Sequence, residues 1–142
     1  MLDAPPVDDI AEKKIRVLGV DDNLALASLL DLMIEDDPQL ESVGWLHQAD
    51  ALAEAIQRSS PDIVLLDLSM PGRDPLEVLS EVSQRFPAVR VIVLSAHQGD
   101  EYVDRAVAAG AWGYVCKGSD PQNLLTAIHQ VALGNFSLES AI

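Results

Sequence analysis

The chain has 142 residues, 49% of them hydrophobic, and is long enough to bury a core as one domain. Nine Lys and Arg residues against 23 Asp and Glu residues give a formal net charge of −14. A surface of this sign repels the phosphates of nucleic acids, so we expect no direct nucleic-acid binding by this chain. The single cysteine, Cys116, excludes an internal disulfide and favours a reducing, cytoplasmic compartment, and no apolar run is long enough to span a membrane.

The chain begins with an acidic, proline-containing segment that has none of the features of a signal peptide. We expect residues 1–14 to be a flexible leader and residues 15–134 to form the folded domain. Residues 135–142 are expected to be a C-terminal tail or the start of a linker.

Five short apolar runs follow the leader, and apolar residues at helical spacing follow each of them. The runs are rich in Val, Ile and Leu without polar alternation, which is typical of strands covered on both faces. They lie at residues 15–20, 42–46, 63–66, 89–94 and 113–116. Asp74-Pro75 and Asp120-Pro121 predict the starts of the third and fifth helices, because each pair offers a capping carboxylate and a proline at the first helical position. The alternation predicts an α/β fold with a parallel sheet between layers of helices.

Polar residues follow four of these strands. Asp21 and Asp22 follow the first, Asp67 the third, Ser95 the fourth and Lys117 the fifth. The carboxyl ends of parallel strands share one edge of the sheet, so we expect three carboxylates, a hydroxyl and an ammonium to meet there. A hard divalent ion such as Mg²⁺ relieves the repulsion between carboxylates, and it keeps water positions that a phosphoryl oxygen can take. A carboxylate can also be the nucleophile that forms an aspartyl phosphate.

Four segments in this order resemble the receiver domain of two-component response regulators. They are VDD at residues 20–22, DLSMPG at 67–72, SA at 95–96 and GAWGYVCK at 110–117. The resemblance covers roughly residues 15–134. It is most similar to the NarL/FixJ-type subgroup in three places: residues 95–97, the Gly-Tyr pair before the lysine, and the ending at 127–134. It implies a flavodoxin-like (βα)₅ doubly wound parallel sheet with the strand order 2-1-3-4-5.

The resemblance also implies a magnesium site and a phosphoacceptor. Asp67 matches the residue that accepts the phosphoryl group. Asp22 and Asp67 match direct Mg²⁺ ligands, Asp21 matches a ligand through water, and the Ser69 backbone carbonyl matches the remaining protein oxygen.

Further positions match groups that respond to the phosphoryl group. Lys117 and Ser95 match its oxygen contacts, and Ser95 and Tyr114 match the switch, in which the aromatic ring turns inward on activation. Tyr114 as a plain packed strand residue is the alternative. Ser69 and His97 are candidate modulators; His97 either borders the pocket and affects the access of water or is an ordinary loop residue.

The resemblance implies partners as well. The expected phosphodonor is a sensor histidine kinase or a phosphotransfer protein. The chain is expected to catalyse only its own phosphorylation and dephosphorylation. The expected output surface consists of the fourth helix, the fifth strand and the fifth helix. The output is transcription through a DNA-binding domain outside this chain, with a homodimer on phosphorylation as a further expectation. A single-domain phosphorelay, or a receiver-like module that binds partners without phosphorylation, is the alternative.

Two departures from the family pattern and two rival functions bear on this interpretation. Pro75 stands where the family usually has glycine, and Gly118 where many members have a proline after a cis bond; a cis bond here would cost about 3 kcal/mol, so we expect trans. A metal-dependent phosphatase would place two aspartates at alternate positions, whereas Asp21 and Asp22 are adjacent. A flavodoxin-like cofactor binder would need a phosphate-cradling loop, and the acidic turn after the first strand disfavours one.

Overall fold

The computed structural model describes residues 13–70, 72–96 and 99–139. In these ranges six strands alternate with five α-helices, and a turn of 3₁₀ helix, Ala49–Ala51, precedes the second helix. The elements in chain order are β1 (Ile15–Val20), α1 (Leu24–Asp36), β2 (Leu40–Leu46), α2 (Leu52–Ser59), β3 (Ile63–Asp67), α3 (Pro75–Arg85), β4 (Arg90–Ser95), α4 (Asp100–Ala108), β5 (Gly113–Cys116), α5 (Pro121–Ala132) and β6 (Ser137–Glu139). None of the described helices is long and apolar enough to cross a membrane.

The strands form one parallel sheet in the order β2-β1-β3-β4-β5-β6. This confirms the predicted α/β fold and the predicted order of the first five strands. β6 is an addition, and it pairs with the outer edge of β5. The sequence indicated only a tail or linker after residue 134, because three residues that include Ser and Glu form no apolar run. The division into leader, domain and tail stays a prediction, and residues 1–12 and 140–142 lie outside the described ranges.

Two helices begin with the caps that the sequence predicted. The Asp74 side chain accepts a hydrogen bond from the Leu76 N–H at 3.0 Å and caps α3. The Asp120 side chain accepts one from the Gln122 N–H at 2.9 Å and caps α5. The described ranges contain no cis peptide bond, so the bond before Gly118 is trans, as expected.

Apolar residues are buried on both faces of the sheet. Leu30 of α1 and Ile128 of α5 pack in one core, which covers one face. Ile56 of α2, Leu79 of α3 and Ala106 of α4 pack in the other. Since both faces are covered, the strands can present polar side chains to solvent only at their ends, and this places the chemistry of the molecule at the edges of the sheet.

An irregularity in β2 sets how this strand meets β1. The pairing skips Val43, which is an extra residue in β2. Gly44 follows with a φ of 137°, in the left-handed region that favours glycine. One extra residue reverses the faces that later side chains take, and here it places Trp45 opposite Gly19 of β1. The end of β2 therefore depends on this bulge for its position beside the end of β1.

Candidate functional site

Three carboxylates meet at the carboxyl edge of the sheet. Asp21, Asp22 and Asp67 each offer an oxygen, and these three oxygens lie within 4.8 Å of one another. Asp21 and Asp67 are 0% exposed, whereas Asp22 faces solvent. The site is thus an acidic pocket with two buried carboxylates and one at its mouth.

The turn after β1 carries two of these carboxylates. The Asp21 N–H donates to the carbonyl of Leu46, the last residue of β2, at 2.9 Å. The Asp21 Oδ1 accepts from the Asn23 N–H, also at 2.9 Å, and the Asn23 side chain accepts from the Leu26 N–H and caps α1. The turn therefore continues directly into α1, and its first residue is held to β2 through the main chain.

The two oxygens of Asp67 have different surroundings. Oδ1 accepts hydrogen bonds from the Ser69 N–H at 2.8 Å and from the Ser69 hydroxyl at 2.7 Å. Oδ2 lies 2.9 Å from the Lys117 ammonium. The turn that contains Ser69 is tied to β4, because the Leu68 N–H donates to the Leu94 carbonyl at 2.9 Å. The carboxylate is therefore held by one oxygen and presents the other to a positive charge.

Lys117 joins the two buried carboxylates. Its ammonium lies 2.9 Å from Asp67 Oδ2 and 3.4 Å from Asp21 Oδ2, and its side chain is 19% exposed. Its main-chain N–H donates to the Ser95 carbonyl at 2.8 Å, so the turn after β5 is anchored to the end of β4. One ammonium cannot balance three carboxylates, and the pocket keeps a net negative charge.

Burial and charge act in opposite directions on the two buried carboxyl groups. Burial, and then repulsion from Asp67, raise the pKa of Asp21 above its ordinary value. Burial would also raise the pKa of Asp67, but the contact with Lys117 and the hydrogen bonds from Ser69 outweigh it and hold that pKa below its ordinary value. The proton that relieves repulsion in the metal-free pocket therefore favours Asp21, and Asp67 stays ionised.

The oxygens of the pocket fit a hard divalent cation. Asp21 Oδ2 and Asp67 Oδ2 are fully buried and, within the described ranges, accept no hydrogen bond of good geometry; their charged contact is with Lys117. Buried carboxylate oxygens that lack hydrogen-bond donors destabilise the fold unless a cation binds them instead. A set of carboxylate oxygens is also the donor type that Mg²⁺ prefers. The pocket can therefore hold a metal ion.

The two residues matched to the switch lie on neighbouring strands: Ser95 is the last residue of β4, and Tyr114 is the second residue of β5, opposite Val93. Ser95 is buried, and the Tyr114 ring is 0% exposed within the core formed with α2, α3 and α4. Burial raises the pKa of Tyr114, and a hydrogen bond with the Ser95 side chain partly opposes the shift. The ring thus has the inward orientation. Its role as a switch stays a prediction, and His97 lies outside the described residues.

Two histidines have partners that the sequence did not reveal. His47 Nδ1 lies 2.9 Å from the main-chain carbonyl of Asp21, and His129 Nε2 lies 2.7 Å from Asp37 Oδ2. The first contact depends on the bulge in β2, and the second joins the end of α5 to the end of α1. Neither leaves a local pattern, because the partners are far apart along the chain.

Comparison with known proteins assigns this arrangement to a family. Residues 17–129 match the family described as the response regulator receiver domain. The chain belongs to this family. Its curated relatives include the nitrate/nitrite response regulator NarL of Escherichia coli, 33% identical over 126 residues, and the transcriptional regulatory protein DegU of Brevibacillus brevis, 30% identical over 127 residues. The matches cover 89% of this chain but 58% of NarL and 54% of DegU, so the chain spans little more than half the length of these relatives.

Solved receiver structures support the same assignment. A LuxR-family response regulator from Aurantimonas is 31% identical with a TM-score of 0.82, and the match covers 87% of this chain and 89% of that one. The signal receiver domain of a NarL-type regulator from Mycobacterium tuberculosis is 29% identical with a TM-score of 0.81, covering 87% and 99%. These relatives confirm the predicted resemblance to the NarL/FixJ-type subgroup of receiver domains.

Proposed function

We propose that this receiver domain accepts a phosphoryl group on Asp67 from a phosphohistidine of a sensor histidine kinase or phosphotransfer protein, in a Mg²⁺-dependent reaction in the cytoplasm. The observation that carries the proposal is the state of Asp67 Oδ2. It is buried, accepts no hydrogen bond of good geometry among the described residues, and lies 2.9 Å from an ammonium group. An ionised oxygen with free lone pairs beside a positive charge is suited to attack phosphorus.

The residues around Asp67 divide the work of the transfer. Ser69 holds Oδ1, so that Oδ2 forms the new bond to phosphorus while the bond from phosphorus to the donor imidazole nitrogen breaks, and that nitrogen keeps the electron pair. Lys117 is placed to neutralise charge that develops on the phosphoryl oxygens. Asp22, Asp67, the Ser69 carbonyl and, through water, Asp21 would hold Mg²⁺, which supplies further positive charge at the phosphoryl group.

The change of state then passes through the ends of β4 and β5. We assign the Ser95 hydroxyl to a phosphoryl oxygen, with Tyr114 packed inward beside it. The buried position of the Tyr114 ring supports a population shift towards a conformation that is already available, rather than a new fold. The face formed by α4, β5 and α5, to which β6 adds a strand on the outer edge of β5, is the proposed output and homodimer surface.

The names of the relatives support a proposal about the output of the whole protein. DegU of Brevibacillus brevis is named a transcriptional regulatory protein, and we infer that this chain controls transcription through a DNA-binding domain outside it. A single-domain relay is the alternative. Turnover of an external substrate is not part of the proposal, since the chain acts on its own acyl phosphate.

Labelling with acetyl phosphate tests the proposal. We expect the wild-type chain to take up one phosphoryl group with Mg²⁺ and Asp67→Asn to take up none, because the amide cannot attack phosphorus. Asp62→Asn is the matched control: Asp62 lies just before the other end of β3, is exposed, and accepts a hydrogen bond from the Arg16 N–H, so its loss should leave labelling unchanged. Labelling of Asp67→Asn at the wild-type level would sink the proposal.

A further inference from the structure

His47 contacts the acidic pocket from outside. It is the first residue after β2, its side chain is largely exposed, and its Nδ1 lies 2.9 Å from the main-chain carbonyl of Asp21. A carbonyl only accepts, so Nδ1 carries the hydrogen and donates. Nε2 is on the far side of the ring from this bond. Because the His47 side chain is exposed, replacing it removes little packing.

The bulge in β2 is what brings His47 to this carbonyl. Because the pairing skips Val43, Leu46 lies opposite Val20, the last residue of β1. The Leu46 carbonyl then receives the Asp21 N–H, and His47, one residue on, reaches the Asp21 carbonyl. The last residue of β2 and the residue that follows it thus hold both main-chain polar groups of Asp21.

These two hydrogen bonds matter because the carboxylates of the pocket repel one another. Three carboxylate oxygens within 4.8 Å repel one another before a cation arrives. Lys117 draws the Asp21 side chain towards Asp67, but the main chain of the Asp21–Asp22 turn keeps its place only if its own polar groups are held. The bond from the Asn23 N–H to Asp21 lies inside this turn and would move with it. Among the described residues, the hydrogen bonds that tie the main-chain groups of Asp21 to the end of β2 are those with the Leu46 carbonyl and the His47 side chain.

We propose that His47 is a positioning residue of the metal site: by holding the Asp21 carbonyl, it keeps the Asp21–Asp22 turn in the geometry that binds the divalent cation. The proposal rests on the proposed function of the pocket. Hydrogen bonds that orient metal ligands are worth about 10–100-fold in metal affinity in other proteins. His47 acts through the main chain rather than on a ligand atom, so we expect an effect of about tenfold, at the lower end of that range.

Calorimetric titration with Mg²⁺ of the wild-type chain and of three His47 variants tests this. His47→Ala should bind Mg²⁺ about tenfold more weakly, because the carbonyl loses its donor. His47→Asn should restore binding, since its amide nitrogen is the same number of bonds from the main chain as Nδ1. His47→Gln places its amide nitrogen one bond farther out, near the position of Nε2, and should not restore it.

A second readout works without metal. Hydrogen exchange at the Asp21 amide should be faster in His47→Ala and His47→Gln than in the wild type and His47→Asn, while the midpoint of urea unfolding stays the same for all four. Mg²⁺ affinity of His47→Ala within twofold of the wild type, or equal rescue by Asn and Gln, would overturn the proposal. Absence of Mg²⁺ binding by the wild-type chain would overturn the proposed function as well, which separates the two failures.

Discussion

The two oxygens of Asp67 differ in how firmly the protein holds them. Ser69 supplies two donors to Oδ1, and Lys117 stands beside Oδ2 without a well-aligned hydrogen bond. Together they hold the pKa of Asp67 below its ordinary value although burial acts the other way. The carboxylate is therefore ionised without a general base, and in the proposed transfer Ser69 would only need to hold it in position.

Asp21 shows the opposite balance, and its pH dependence follows from the sign of the shift. Its pKa is raised above the ordinary 3.8 by burial and by repulsion from Asp67. The folded chain therefore binds the Asp21 proton more tightly than the unfolded chain does. The stability that this proton contributes is fully present below pH 3.8, and it is lost as the pH rises through the raised pKa.

We predict that Asp21→Asn raises the free energy of unfolding of the metal-free chain near neutral pH, because the amide removes a buried charge that burial and Asp67 disfavour. The advantage over the wild type should disappear as the pH falls to the ordinary pKa of an aspartate. Urea unfolding in a chelator across this pH range measures both effects, and Asp62→Asn, which changes an exposed carboxylate, is the control. A variant less stable than the wild type at neutral pH would contradict the assignment of repulsion to this pair.

At the scale of the elements, the junction of β1 and β2 decides the position of the pocket. Gly19 of β1 lies opposite Trp45 of β2, and a Cβ added at Gly19 would overlap the Trp45 ring. The indole N–H of Trp45 also donates to the Asp31 side chain of α1 at 3.0 Å. The large ring therefore needs the small residue beneath it, and together they hold β1, β2 and α1 in place just before the acidic turn.

We predict that Gly19→Ala lowers the free energy of unfolding by about 1–3 kcal/mol, because the Trp45 ring must shift to make room for the new methyl group. The loss of stability should be much smaller in a Trp45→Leu background, where the smaller side chain leaves room for the methyl group. Urea unfolding of the wild type, the two single variants and the double variant measures the difference. Gly118→Ala is the matched control, since a Cβ at Gly118 meets no atom within 4 Å. Equal losses in both backgrounds would show that the contact with Trp45 is not the cause.

β6 gives a prediction about the end of the domain. It lies on the outer edge of β5, where the Ser137 N–H donates to the Trp112 carbonyl at 3.1 Å, and it contains none of the residues proposed for the acidic pocket. We predict that a chain ending at residue 134 is less stable by about 1–2 kcal/mol, because it loses a few strand hydrogen bonds, but takes up the phosphoryl group as the full chain does. Urea unfolding and acetyl phosphate labelling measure the two effects, and a truncated chain that folds but is not labelled would show that β6 supports the site.

The sequence predicted some elements well and others not at all, for physical reasons. Runs of Val, Ile and Leu revealed β1, β3 and β4, because strands covered on both faces need them. A short apolar run before Lys117 revealed β5, and Asp-Pro pairs revealed two helix starts. β2 begins at Leu40, two residues before its predicted start, since Glu41 interrupts the apolar run and pairs with Arg16 of β1. The bulge at Val43 and the bond from His47 to Asp21 depend on the register between two strands, which no local pattern carries.

The candidate site was more predictable than the register around it. Parallel strands must end at one edge, so the alternation of elements was enough to bring Asp21, Asp22, Asp67 and Lys117 together. The distribution of contacts between the two oxygens of Asp67, and the inward orientation of Tyr114, needed coordinates.

At the scale of the whole molecule, charge and topology serve the same end. A parallel sheet gathers the carboxylates at one edge, and the net charge of −14 adds a negative field around them that favours a divalent cation. The chain spans little more than half the length of the NarL and DegU relatives.

Mapping the phosphorylated residue tests the central claim most directly. The chain is treated with acetyl phosphate in Mg²⁺ or in a chelator, the acyl phosphate is trapped by borohydride reduction, and the reduced residue is located by mass spectrometry of peptides. The account predicts one modified residue, Asp67, in the Mg²⁺ sample and little or none in the chelator. Modification at another residue, or equal modification of Asp67 without the metal, would contradict it.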